Sequence, residues 1–140
     1  MRRLAFLLLL LASQAAAAPV SLSLAQGERR VSFDFAADRT GPEALRIETH
    51  RVGNPGARLA IWIDRSPTPL FSGILTSDQC GYDDAGARCV LTVAGGTPDY
   101  DRFVTAFRLG LVAHVEVENA NVMEMRSDLS LLGFTKAYGD

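Results

Sequence analysis

The stretch Cys80-Gly81-Tyr82-Asp83-Asp84-Ala85-Gly86-Ala87-Arg88-Cys89 holds both cysteines of the 140-residue chain. Apolar, strand-like sequence flanks it on either side, and its interior is turn chemistry, with glycines and two adjacent aspartates. It reads as a disulfide-closed loop, residues 81–88, between two strands. A catalytic redox pair is usually Cys-x-x-Cys at a helix start, where a thiolate is stabilised. Here eight residues intervene and the flanks are strands, so the pair reads as a structural clamp. On the chain-entropy view, a crosslink over so short a loop contributes roughly 2.5–3 kcal/mol.

Outward from the clamp toward the N-terminus, Leu70 to Leu75 is a short strand, and the prolines of Ser66-Pro67-Thr68-Pro69 end the strand before it. That earlier strand, Arg58 to Asp64, puts Leu59, Ile61 and Ile63 on one face and Ala60 and Trp62 on the other. Both faces are apolar, which predicts a central strand covered on both sides. Gly53-Asn54-Pro55-Gly56 is the clearest turn in the chain. Ala44 to Val52 sets Leu45, Ile47 and Thr49 against Arg46, Glu48 and His50, and Asp38 to Pro42 is a loop. Val20 to Leu24 and Val31 to Phe35 alternate with period two, the signal of half-buried strands, around a hairpin turn at Gln26 to Arg29.

Toward the C-terminus, Arg88 to Val93 is a strand that Ala94-Gly95-Gly96 stops. Then the period changes. Tyr100, Phe103, Val104 and Phe107 fall at i, i+3, i+4 and i+7, the apolar stripe of a helix. Thr97 offers a cap, Pro98 a first-turn proline, Asp99 an acid at the positive helix end, and Gly110 a stop. Alternation returns over Leu111 to Glu118, with Ala113, Val115 and Val117 inward and His114, Glu116 and Glu118 outward. Asn119-Ala120-Asn121 is a turn, Val122 to Arg126 the partner strand, and Ser130 to Tyr138 a terminal turn or short helix. The fold these elements predict is all-β: a sandwich or closed barrel of about eight or nine short antiparallel strands, with one short amphipathic helix near residues 98–109 plugging or crossing one end.

The first residues read differently. Arg2 and Arg3, the apolar run Leu4 to Ala12 and the small residues Ala15 to Ala18 have the three-part layout of a secretory signal peptide, residues 1–17. A single β-rich domain is expected over 19–140. Cutting after Ala17 avoids a mature chain that begins with Pro19. The run falls short of the ~20 residues a bilayer needs, so no transmembrane anchor is expected after cleavage. A periplasmic or secreted location follows, and it suits one disulfide from two cysteines. The chain carries 14 Lys and Arg against 16 Asp and Glu, a net charge of −2, which becomes −4 once Arg2 and Arg3 leave. Lys136 is the sole lysine. No basic patch points to nucleic acid or to anionic lipid.

No residue set selects a chemistry. The two histidines, His50 and His114, sit on polar strand faces without a local ligand partner. His114 and Glu116 share one strand face, but a zinc site needs more donors, and solvent-facing histidines are the reading preferred. Asp83-Asp84 lacks the further oxygen ligands of a calcium loop. Neither a phosphate-binding Walker loop nor a Gly-x-Ser-x-Gly elbow is present. No catalytic, metal or cofactor-binding residues are therefore assigned. Tyr82, Asp83, Asp84 and Arg88 form the candidate recognition loop, and Trp62, Met123 and Met125 are expected in the core.

The C-terminal half, about residues 80–138, carries a resemblance. A cysteine-bearing strand at Cys89 precedes the Asp101-Arg102-Phe103 helix ending at Gly110. Then come a strand pair and Ser130-Leu131-Leu132-Gly133-Phe134-Thr135-Lys136-Ala137. This resembles the invasion-associated locus B family of bacterial exported proteins. The resemblance implies a small, exported, largely β protein with a structural Cys80–Cys89 disulfide and no catalytic residues to carry over. It also implies packing roles for Ser130, Leu131, Gly133, Phe134 and Ala137. The family's early tryptophan followed by a cysteine has no counterpart: nothing before Cys80 is cysteine, and the sole tryptophan is Trp62. Pathogenesis is not carried over. The expected function is an exported, non-enzymatic β-domain that binds a protein or cell-envelope component. The alternative is a small periplasmic enzyme inhibitor that uses the 81–88 disulfide loop as its plug.

Overall fold

Strand alternation sorts the side chains into inward and outward sets, and two antiparallel sheets bury the inward ones against each other. The computed structural model describes residues 20–36 and 43–138; the expected signal peptide at 1–17 and the expected 38–42 loop lie outside them. One sheet holds β1 (Val20–Gln26), β2 (Arg29–Ala36), β3 (Ala44–His50), β6 (Cys80–Asp83) and β7 (Gly86–Ala94), in the order β1-β2-β3-β7-β6. The other holds β4 (Arg58–Ile63), β5 (Phe71–Ile74), β8 (Val112–Asn119) and β9 (Val122–Ser130), in the order β5-β4-β8-β9. The result is a sandwich and not a closed barrel, because the ladders stop at the sheet edges. Where the β1 and β9 edges approach, side chains do the bridging: Arg29 donates to the Glu124 carbonyl, and the Arg126 amide donates to Gln26 Oε1 at 3.1 Å.

The alternation holds residue by residue. Val31, Phe33, Phe35, Leu45 and Ile47 from one sheet, and Leu59, Ile61, Ala113, Val115 and Val117 from the other, are buried in the core. Thr49 is buried among them, and its Oγ1 accepts from the Cys89 amide at 3.1 Å, so the polar atom has a partner. In the Asn54–Ala57 turn, Pro55 takes the second position and Gly56 the third at φ 97°, the pattern of a type II turn.

Register gives the sandwich two distinct poles. Ala44 opposite Ala94 and Ile63 opposite Ala113 mark one pole; His50 opposite Arg88 and Arg58 opposite Glu118 mark the other. The first pole is closed by helices. Helix α1 (Pro98–Leu109) begins where Thr97 Oγ1 accepts from the Tyr100 amide at 3.2 Å, with Asp99 and Asp101 in its first turn and Arg108 in its last. Its buried stripe of Tyr100, Phe103 and Phe107 reaches both sheets. Phe103 lies 6.0 Å from Phe71 of β5, and Phe107 lies 5.5 Å from Phe35 of β2. Helix α2 (Phe134–Tyr138) adds Phe134, which sits 5.1 Å from Phe35.

Four expectations change. The 81–88 segment is mostly ladder: Gly81, Tyr82 and Asp83 pair with Arg88, Ala87 and Gly86, leaving Asp84-Ala85 as the turn. Short Cys80–Asp83 lacks apolar alternation, so its strand geometry comes from pairing with β7. Strand β4 is central in its sheet, but Trp62 on its outer face is only half-buried, since among the described residues no second layer covers that face. Met125 is buried as expected, while Met123 is exposed on the β9 edge. The reason for Gly110 also differs from a left-handed stop. Its φ is −85°, and a Cβ there would stand 2.5 Å from Ile63 Cγ2 and 2.9 Å from the Ala106 carbonyl oxygen.

The disulfide joins directly opposed residues, Cys80 and Cys89, with the Cys89 side chain fully buried. Replacing both cysteines by alanine is expected to lower the unfolding free energy by about 2.5–3 kcal/mol in denaturant titrations. An unchanged midpoint would contradict the clamp. Gly110→Ala is expected to cost ~1–3 kcal/mol through overpacking at the helix exit, read from the same titration.

Candidate functional site

At the pole opposite the helices, the β6–β7 hairpin is exposed from Gly81 to Ala85 and held by local bonds. Asp83 Oδ1 accepts from the Ala85 amide at 2.8 Å, an Asx turn that fixes the tip. Tyr82 is 73% exposed, and its hydroxyl donates to Asn54 Oδ1 at 2.7 Å. Arg51 N donates to the Ala87 carbonyl at 2.7 Å and ties the hairpin to the end of β3.

Arg88 does not point into open solvent from a loop. Pairing of β7 with β3 sets it opposite His50, and its Nε donates to the Glu48 carboxylate. Glu48 is only 7% exposed despite standing on the outer face, and it gathers three cationic or protonatable groups. Besides Arg88, His50 Nε2 lies 3.1 Å away and Arg46 Nη2 3.5 Å away. A carboxylate this buried needs such hydrogen-bond partners in place of the water it has lost. Beside this cluster runs a groove of about 390 Å³, lined by Arg46, Gln79, Gly81, Tyr82, Asp83, Arg88 and Val90.

The structure thus brings Tyr82, Asp83 and Arg88 of the candidate loop to one groove, and leaves Asp84 outside it at the turn. Sequence reading missed Arg46 and Glu48. The alternation of Arg46, Glu48 and His50 was visible, but only the non-local β3–β7 pairing delivers Arg88 to that row.

The second histidine belongs elsewhere. His114 stands on the outer face of the four-stranded sheet, opposite Trp62 on β4 and Asp128 on β9. Its Nδ1 is 2.7 Å from Asp128 Oδ1, and this hydrogen bond is the main cause that holds its pKa above the ordinary 6.5. Glu116 shares that face but accepts from Arg126 Nε at 3.0 Å. Each member of the considered His114–Glu116 pair therefore engages its own cross-strand partner. Among the described residues, no three His, Cys, Asp or Glu side chains gather as a metal-ligand set. Asp64, at φ 53°, accepts from the Leu111 and Val112 amides, both at 3.0 Å, and fixes the passage from α1 into β8.

Comparison with protein-family models, curated proteins and solved structures finds no match. Among the described residues, no helix is long and apolar enough to cross a membrane.

Folding favours protonated His114, so its pairing with Asp128 stabilises fully below pH 6.5 and fades as pH rises through the raised folded value. The pair is open to solvent, with the His114 side chain 40% and the Asp128 side chain 65% exposed, so the contribution is screened to about 0.2–1 kcal/mol. His114→Gln is expected to cost more stability at mildly acidic than at alkaline pH. Equal losses in paired melts at both values would refute the assignment.

Proposed function

We propose that the chain is an exported, non-enzymatic binding domain that engages a protein or envelope component through the hairpin pole, in the manner suggested by its resemblance to invasion-associated locus B proteins. The observation that carries this reading is the rigid hairpin beside an open groove. Its tip is fixed before any partner arrives, by the disulfide, the Asx turn and the Tyr82–Asn54 bond. Preorganisation of this kind lowers the entropic cost of association. The exposed Tyr82 ring offers apolar area with a polar end, a common composition for a binding anchor. Arg46 and Arg88 present guanidinium groups suited to a carboxylate-bearing segment of the partner.

The engagement of Glu48, Glu116 and Asp128 in ion pairs supports a binding role over a catalytic one. The leader-like residues 1–17 and the disulfide support a periplasmic or secreted location. A narrower reading, inhibition of a periplasmic enzyme, draws on the exposed two-residue tip Asp84-Ala85, which is small enough to enter a cleft.

Immobilised protein is expected to retain a specific partner from a periplasmic extract. Tyr82→Ala and Arg88→Ala should each weaken retention about tenfold or more, as anchor residues do. His114→Ala, on the other sheet, should retain the partner as wild type does. Equal retention by all variants would overturn the hairpin reading. A captured enzyme whose activity falls on binding would select the inhibitor reading.

A further inference from the structure

The two lateral edges of the sandwich are finished differently. Where β1 meets β9, Arg29 and Gln26 bridge the sheets over buried Val20, Leu24, Met125 and Leu129, with Leu22 partly covered beside them. At the other edge, Phe71 of β5 and Val93 of β7 face the core but are only half-buried. The cause is a strand that stops short. β6 covers β7 from Gly86 to Cys89, and the Val90 amide adds one more bond, to the Gln79 carbonyl at 2.9 Å. There the neighbour ends, because the Gln79 amide turns back to the Thr76 carbonyl at 3.0 Å. Among the described residues, no strand lies beside Leu91 to Ala94 on that side.

The parity of the β3–β7 ladder fixes where the backbone groups point. The Gly95 amide donates to the Glu43 carbonyl at 2.6 Å, so odd-numbered residues of β7 bond to β3 and even-numbered ones face the other way. The Val90–Gln79 bond has the same parity. The Ala94 carbonyl on that side accepts from Thr97 Oγ1 at 2.6 Å. This leaves the Val90 carbonyl, the Thr92 amide and carbonyl, and the Ala94 amide facing the open edge. They alternate as a neighbouring strand would require. Exposed edges are usually protected by charge or proline. Val90-Leu91-Thr92-Val93-Ala94 has neither.

Beside these groups lies a slot of about 400 Å³. Leu91 and Val93 of β7 and Phe71 and Gly73 of β5 are among its walls, with Gln79 at one end and Thr97 at the other. Gly73 makes room for the aromatic wall: a Cβ there would stand 2.9 Å from Phe71 Cζ. The slot thus sets an apolar floor next to a row of open backbone donors and acceptors. Its lining meets that of the hairpin groove only at Gln79.

We infer that the slot receives a short extended segment of a partner polypeptide, added to β7 as an antiparallel strand in line with β6. The segment's backbone would pair with Val90, Thr92 and Ala94. Its inward side chains, apolar at alternate positions, would cover Leu91, Val93 and Phe71. The backbone row selects this occupant over a small apolar ligand, which would strip water from those groups and return no hydrogen bond. The open stretch of β7 limits the paired part to about four residues. The inference does not depend on what the hairpin binds.

Selection from a displayed library of short random peptides, with the purified protein as bait, tests it. Enriched peptides should carry apolar residues at alternate positions. In the free protein the Thr92 amide should exchange its hydrogen quickly, and the Leu91 and Val93 amides, paired with β3, slowly. A synthetic copy of an enriched peptide should slow exchange at Thr92 and Ala94. Thr92→Pro removes only an outward-facing N–H, so it should keep a melting temperature near wild type, whereas Leu91→Pro should lower it sharply. Thr92→Pro should weaken peptide binding at least about tenfold, and Tyr82→Ala should leave it unchanged. Failure to enrich any peptide, binding indifferent to Thr92→Pro, or slow exchange of Thr92 in the free, dilute protein would overturn the inference. So would Thr92 protection that rises with protein concentration alone, which would make the occupant a second copy of the chain.

Discussion

Phe35 is the contact on which the closed end of the sandwich depends. Its ring meets Phe107 of α1, Phe134 and Tyr138 of α2, and Tyr100 at the start of α1, all in edge-to-face arrangements. One strand residue thus collects both helices. Phe103 extends the same cluster to Phe71, on the edge of the other sheet. Edge-to-face pairs add about 0.5–1.5 kcal/mol each beyond the burial of their area, but geometry matters more than the sum. Without the helix stripe, the two sheets would have an open, apolar end. With it, α1 is fixed across that end, and its last residues emerge at a defined place with Leu109 and Leu111 turned outward.

The opposite pole is built from polar contacts and tight turns. The hairpin is held by the disulfide, by the Asp83 turn and by Tyr82 reaching Asn54. Glu48 binds β3 to β7 through Arg88 on the outer face, while Thr49 does so through the Cys89 amide on the inner face. Successive residues of one strand therefore hold the same neighbour from both sides. That dual attachment explains how a short exposed hairpin keeps one orientation, and why its groove has fixed walls.

Much of this architecture was legible in the sequence because its local patterns agree with its tertiary environment. The alternation in Val31-Ser32-Phe33-Asp34-Phe35 and Val115-Glu116-Val117 matches what is buried and what is not. The helix period of Tyr100, Phe103 and Phe107 does too. Strand β6 was not legible, since four residues with one aromatic have no period of their own. The Glu48 cluster escaped because its members are assembled by pairing residues far apart in the chain. Gly110 was read correctly as a stop for an incomplete reason: the constraint is the closeness of Ile63, which no one-dimensional pattern carries. Leu109, Leu111 and Leu132 look like ordinary core residues in sequence. Only the position of the turns exposes them.

The strand order has a consequence for how the molecule can be made. Neighbouring hairpins form locally, as in β1–β2, β4–β5, β6–β7 and β8–β9. Each sheet is completed only by a distant pairing, β3 with β7 in one and β4 with β8 in the other. Both pairings join strands that lie far apart in the chain, β3 to the strand that carries Cys89 and β4 to a strand beyond the first helix. A chain threaded through a pore N-terminus first must therefore hold β3 and β4 with unsatisfied edges until the later half emerges. Such edges invite association with other chains. For this topology, the hazardous interval runs from the third strand to the eighth, and it ends only when most of the chain has been delivered.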